Sequence, residues 1–386
     1  MLLALTVWLT VTAPSPDGRA LSLFYECNRC HAGPALEKPA RDKDCVGCHA
    51  AIEAGTFEAP RDVLAHWQER IVDLIEVPTL SGMERLRRDW VRGFLMRPHD
   101  LRPGLSAMMP RMPIDAAQAD LLSRWLVPET PVADYDPWFA WPSRGRRVME
   151  RKGCMTCHTM DGLTPPIAPS AVAGLDPKAL ARGLMLAPDL RHTRERFRED
   201  KLVDWLLDPP KMKAQTPMPK LDLTRREAED VAAFLLETRL GPPTVKPIPE
   251  RLPVLTRRVG FDEVRERVFH KVCWHCHSEA DLALGDGGPG NTGGFGFGPK
   301  GLNLRDYASM TAGSLGPDGK RRSVFKKLED GPLAGTPRLL AHMLARQIEE
   351  AGGEVPGILG MPLGLPSFPP EDIQLVESWI VQGRPE

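Results

Sequence analysis

The sequence Cys-x-x-Cys-His occurs four times: Cys27 to His31, Cys45 to His49, Cys154 to His158 and Cys273 to His277. The four copies use all eight cysteines of the chain. Two thiols on one short turn can form thioethers to the two vinyl groups of a haem, and the imidazole that follows then lies under the iron as its proximal ligand. A Cys-x-x-Cys pair alone also suits a zinc knuckle or a thiol–disulfide site. The first two pairs stand at a spacing close to a four-cysteine zinc ribbon. A ribbon has no use for a histidine placed identically after both pairs, or for the same pattern twice more downstream. The expectation is four covalent haem c groups, attached at Cys27, Cys30, Cys45, Cys48, Cys154, Cys157, Cys273 and Cys276. His31, His49, His158 and His277 are then the proximal ligands.

The elements that must position these groups form a repeat. Cys45 to Leu126 and Cys154 to Leu235 are both 81 residues apart, and His49 to Met109 and His158 to Met218 are both 60 apart. Val77-Pro78-Thr79-Leu80 answers Ala187-Pro188-Asp189-Leu190, and each is followed by an Arg-rich amphipathic stretch. After each Met-Pro pair, Asp115 or Thr224 stands at the N-cap position of a helix ending in Trp125-Leu126 or Phe234-Leu235. A more divergent third copy has an amphipathic helix from Phe261 to Lys271 before Cys273. Its terminal helix opens at Pro370 and carries Ile373, Val376, Trp379 and Ile380 on one face. His277 and Met361 are 84 apart, with much of the excess in the Gly-rich stretch 285–301, which reads as a flexible surface loop.

This arrangement resembles class I cytochrome c. The resemblance covers most of 45–126 and 146–240, and it implies an N-terminal helix leading into the haem motif, a Met-Pro distal ligand and a C-terminal helix packed on the first. On it, the axial pairs are His49/Met109, His158/Met218 and His277/Met361. A thioether is a soft, weak donor that raises the iron potential and leaves no vacant position. Met108 and Met112 rival Met109, and Met310 and Met343 rival Met361; the ordinary role for any of them is core filling. The implied fold class is mainly α, with three small helical domains in tandem: 21–128 with two haems, 143–240 and 255–386 with one each. Proline-rich linkers at 128–142 and 241–253 join them.

The first motif stands only fourteen residues before Cys45, so no separate domain is expected for it. Close spacing resembles multihaem cytochromes with bis-histidine ligation. His66, in a helical stretch from Arg61 to Val77, and His99, after Pro98, are the candidates for its distal ligand, with Met112 or an open position remaining.

A formal charge of −1 gives no basic footprint for nucleic acid. The 386 residues suit two to three domains, while 39 prolines, 34 glycines and an aromatic content of 6% leave a thin polypeptide core that buried porphyrins would fill. Met1 to Ala13 is apolar and too short to span a bilayer, and reads as part of a secretory signal over 1–20, cleaved after Ala13 or Ala20. No Lys or Arg precedes Arg19, which points to a start codon upstream. Export and the resemblance both imply the bacterial periplasm, with no membrane span once the signal is removed.

The leading functional expectation is electron transfer among respiratory partner proteins, or as the cytochrome subunit of a dehydrogenase or oxidase complex. The alternative is a peroxidase-like oxidoreductase with an open position at the first haem. A gas-binding sensor is a third class that nothing in the sequence favours.

Overall fold

The computed structural model describes residues 17–33, 35–71, 77–99, 101–103, 105, 108–131, 140–160, 176–238, 240–241, 246–279 and 288–386. Most of the signal-like segment, and parts of both linkers, lie outside these residues. The fold is mainly helical, as expected, with fifteen α-helices and one two-stranded ribbon, β1 (Ser314–Leu315) and β2 (Arg321–Arg322), among the described residues. No described helix is long and apolar enough to cross a membrane.

The first segment contains α1 (Gly18–Phe24), α2 (Cys45–Glu53), α3 (Arg61–Arg70), α4 (Arg88–Met96) and α5 (Ala116–Leu126). The second contains α6 (Pro142–Lys152), α7 (Pro177–Leu186), α8 (Thr193–Arg196), α9 (Glu199–Leu207), α10 (Pro209–Met212) and α11 (Arg225–Glu237). Both C-terminal helices open with a capping box: Asp115 with Gln118, and Thr224 with Glu227. Each box satisfies donors that the first turn leaves without an intrahelical partner. Proline at the first position of α6 supplies the helical φ without sacrificing a bond, and Gly153, at φ 71°, ends that helix one residue before Cys154.

α1 crosses α5, and α6 crosses α11. Each crossing is made at a glycine: a Cβ on Gly18 would stand 2.4 Å from Trp125 Cβ and 2.6 Å from Leu121 O, and one on Gly145 would stand 1.9 Å from Asp230 O. Gly18 precedes Cys27 by nine residues and Gly145 precedes Cys154 by nine. The helix of the first segment that packs on its C-terminal helix therefore leads into Cys27, not Cys45. This corrects the 81-residue register: the first motif has a helical frame of its own, and the second motif lies in α2, inserted after it.

The two segments share one apolar cluster running from Leu21 to Leu236 and meet in reciprocal fashion. Leu86 and Phe197 form an antiparallel bridge, with Arg87 N donating to Arg196 O at 2.8 Å and Arg198 N donating to Arg85 O at 2.9 Å. The third segment, α12 (Phe261–Val264), α13 (Tyr307–Thr311), α14 (Arg338–Glu350) and α15 (Pro370–Val381), has its own cluster. Fully buried Trp379 is its centre, with the rings of Phe261, Phe269, Tyr307 and Phe325 all within 6.4 Å.

The described part of the Gly-rich stretch packs against the first segment, which corrects its reading as a flexible surface loop. Gly294, at φ 124°, passes so close to Glu26 and Arg29 that a Cβ would stand 2.5 Å from the carboxylate and 2.7 Å from the guanidinium carbon. Gly296, at φ 81°, lies against the Tyr25 ring at 2.7 Å by the same measure. Glycine is required twice over, for the left-handed backbone and for the close approach. Arg111 of the first segment also pairs with Glu354 of the third.

Candidate haem-attachment sites

Three of the four motifs share one local geometry. Cys27–Arg29, Cys154–Thr156 and Cys273–His275 are 3-10 turns in which the motif histidine N–H closes back onto the first cysteine's carbonyl, at 2.9, 3.1 and 3.0 Å. Gly153 enters its turn in a left-handed conformation at φ 71°, and Glu26 does the same at φ 51° without being glycine. Arg29, at 2.6 Å, and Lys43 hold the Glu26 carboxylate. The second motif differs, since Cys45 opens α2 under the cap of Asp44, whose carboxylate accepts from Gly47 N at 2.9 Å. Cys45, Cys48 and His49 then fall at i, i+3 and i+4, on one helix face.

His31 Nδ1 donates to Pro78 O at 2.7 Å, and His158 Nδ1 donates to Pro188 O at 2.8 Å. A carbonyl can only accept, so the proton sits on Nδ1 and the Nε2 lone pair remains for a metal, the arrangement that orients metal-binding histidines. Two further bonds repeat the frame: Leu80 N to Ala32 O at 2.8 Å and Leu190 N to Thr159 O at 3.0 Å. His31, not His49, is thus the structural counterpart of His158. The expected pairing of Met109 with His49 loses its basis, because the register that carried it belongs to the first motif. Burial holds His31 and His158 below the usual imidazole range and pushes His277 to about 4, with the charge of His342 adding to the effect on His277. All three are therefore neutral, the form that binds a metal.

Among the distal candidates, Met109 and Met218 are partly buried against the shared apolar cluster, six residues before Asp115 and Thr224 respectively. Met310 and Met343 are fully buried in the third core and fill it. Met361 N donates to His342 O at 2.8 Å, and His342 Nδ1 donates to Leu359 O at 2.6 Å. Sequence reasoning missed His342, which no motif marks. His66 is exposed on α3, whose inward residue is Trp67. His99 is half-buried, with Nδ1 donating to Arg97 O at 3.0 Å and its ring 5.5 Å from that of His192. Another histidine does reach a motif: His275, inside the fourth, has its ring centre 6.2 Å from that of His49.

The motifs are also drawn together by their thiols and by charge. The Cys30 and Cys45 thiols are in hydrogen-bond contact, which pushes Cys30 up and Cys45 down. Among the described residues no group of three or more His, Cys, Asp or Glu side chains is arranged to hold a metal ion. Around the Leu86–Phe197 bridge, Arg85 lies over Trp205 of α9, and Arg196 lies over Trp90 of α4. Burial lowers Arg85 to about 10 and Arg196 to about 9, the second also feeling the charge of Arg85. Lys213 falls to about 8 through burial and then the charges of Arg85, Arg196, Arg102 and Arg182. The Nε atoms of Arg85 and Arg196 are buried without a hydrogen-bond partner, as is Nδ1 of His277. Buried cations need counter-charge and hydrogen-bond acceptors. The carboxylates of haem would meet that need, so these residues fit the group that the motifs imply.

Residues 142–239 match the family model for cytochrome c, a span that begins at the first residue of α6 and runs just past the end of α11. None of the curated proteins and none of the solved structures compared with the chain matches it. The chain thus carries a cytochrome c domain, within whose span Cys154, Cys157 and His158 fall, and this supports haem-based electron transfer.

Proposed function

We propose that the chain is a four-haem c-type cytochrome of the bacterial periplasm that passes electrons between redox proteins of a respiratory chain. The observation that carries this reading is the bond shared by His31 and His158, each donating from Nδ1 to a proline carbonyl. The second lies inside the matched cytochrome c domain, and the first repeats its frame outside it.

In this reading the eight cysteines form the thioethers, and His31, His49, His158 and His277 bind iron. Met109, Met218 and Met361 would supply thioether ligands to the haems held at the first, third and fourth motifs. Haem so held supplies reversible one-electron storage, with thioether ligation raising its potential. The chain's own residues do the rest: Pro78 and Pro188 carbonyls fix the imidazole tautomers, and the shared apolar cluster keeps water away. Arg85, Arg196 and Lys213 receive the carboxylates of the haems at the first and third motifs. Partners are proteins that give or take single electrons, such as a dehydrogenase or an oxidase complex. A near-neutral chain offers nothing to a nucleic acid.

Intact mass of the exported protein together with low-temperature EPR tests the reading. Four haem additions and four low-spin centres are expected. Fewer additions would end the four-haem assignment, and a substantial high-spin centre would mark a vacant position and a catalyst.

A further inference from the structure

We infer that His275, the residue between the two cysteines of the fourth motif, is the second axial ligand of the haem held by Cys45, Cys48 and His49. This rests on the four-haem reading and goes beyond it, because it assigns to one haem a ligand drawn from the attachment loop of another.

The geometry is specific. An imidazole nitrogen binds a transition metal at about 2.0–2.1 Å and its ring centre lies about 1.1 Å further back, so two imidazoles on opposite sides of one iron have centres about 6.2–6.4 Å apart. The His49 and His275 rings are 6.2 Å apart, with an interplanar angle of 62°. Each ring can turn about its metal bond, so that angle is open to a shared iron. His99 and His192 provide an internal contrast, since at 5.5 Å they are too close to lie on opposite sides of one iron.

The backbone fixes His275 in this place. Gly290 N donates to His275 O at 3.1 Å, and Gly288 passes so near that a Cβ there would stand 2.4 Å from that oxygen and 2.7 Å from Nδ1. The Nδ1 edge of the ring thus faces the Gly288 loop, and the Nε2 edge faces away from it. On the other side, His49 shares its helix face with Cys45 and Cys48, so the imidazole is presented together with both attachment thiols. The docking of Gly294 and Gly296 on the first segment holds the two motifs together. His66, the candidate that the sequence offers for the first haem, is exposed on α3.

The consequence is a direct link between two haems. His275 and His277 are separated only by Cys276, so one short turn would bind both irons and offer a through-bond path between them.

Low-temperature EPR of the haem-loaded protein, with the haem count fixed by intact mass, tests the assignment in three variants. In His275→Ala, one of four haems should pass from a low-spin bis-imidazole signal to high spin while all four stay attached, and added imidazole should return it to low spin. In His275→Met, which keeps a long side chain able to bind iron, that haem should stay low-spin but lose the bis-imidazole signal. His66→Ala should leave the spectrum as it was. Four attached haems with an unchanged spectrum in both His275 variants would overturn the ligand assignment alone. A wild-type protein without haem at Cys45 and Cys48 would overturn the four-haem reading, and the assignment with it.

Discussion

A buried amine among guanidinium groups must either give up its proton or acquire an anion. Lys213 is in that position, held to about 8 by burial and by the charges of Arg85, Arg196, Arg102 and Arg182. Two haem carboxylates in the same place would favour the ammonium form and return Lys213 toward its usual range. In the haem-loaded protein, labelling of Lys213 by an amine-reactive reagent, read by peptide mass against pH, should therefore reach its half-point above about 10. A half-point near 8 would show that no anion lies among these cations. The same logic fixes the sign for Arg196→Gln: a buried positive charge favours the reduced iron, so its loss should lower the potential of a neighbouring haem. At roughly 40 mV per kcal/mol for one electron, a shift of several tens of millivolts is expected by spectroelectrochemical titration.

At the scale of elements, the helix crossings decide which motif belongs to which frame. Gly145→Ala would drive a methyl group into Asp230 O, at 1.9 Å, and against Phe234 Cβ, at 2.8 Å. The main-chain oxygen cannot swing aside as a side chain would, so α6 and α11 must separate. A loss of about 3 kcal/mol or more is expected in chemical denaturation of the second segment, and an unchanged midpoint would mean that the crossing is not made here. These crossings also explain what could be read from sequence. The four motifs, the capped C-terminal helices and the Met-Pro pairs are local patterns, and the sequence showed them plainly. The frame of the first motif was less visible. Its histidine is 47 residues from Pro78, whereas His158 is 30 from Pro188, so alignment from the proline backwards falls near the wrong histidine. The signal that discriminates is small: a glycine nine residues before each of Cys27 and Cys154. His275 is hidden for another reason: it occupies one of the two middle positions of the motif, which the pattern leaves free. Its role depends on a contact between residues more than two hundred positions apart.

Taken as a whole, the molecule orders its motifs differently in space and in sequence. The segments that carry the third and first motifs meet at the Leu86–Phe197 bridge, the first motif touches the second through Cys30 and Cys45, and the second meets the fourth through His49 and His275. On the proposed four-haem reading, an electron reaching the first motif would pass the second before the fourth. The last step depends on the Gly-rich docking. Gly296→Ala, strained at φ 81° and set against Tyr25, should loosen that contact. Hydrogen exchange should then quicken across 288–298 while the third core, centred on Trp379, keeps its protection. Unchanged protection in 288–298 would show that the docking does not depend on this close approach.

The reciprocal bridge between the first two segments has a further implication. Arg85 and Arg196, Leu86 and Phe197, and Arg87 and Arg198 exchange roles across it, as matching residues do where two identical subunits meet about a two-fold axis. A single chain thus holds the kind of pairing that two copies make about a two-fold axis, without the two halves being alike. The second segment runs 30 residues from histidine to proline and the first 47, and the second motif lies within that longer passage.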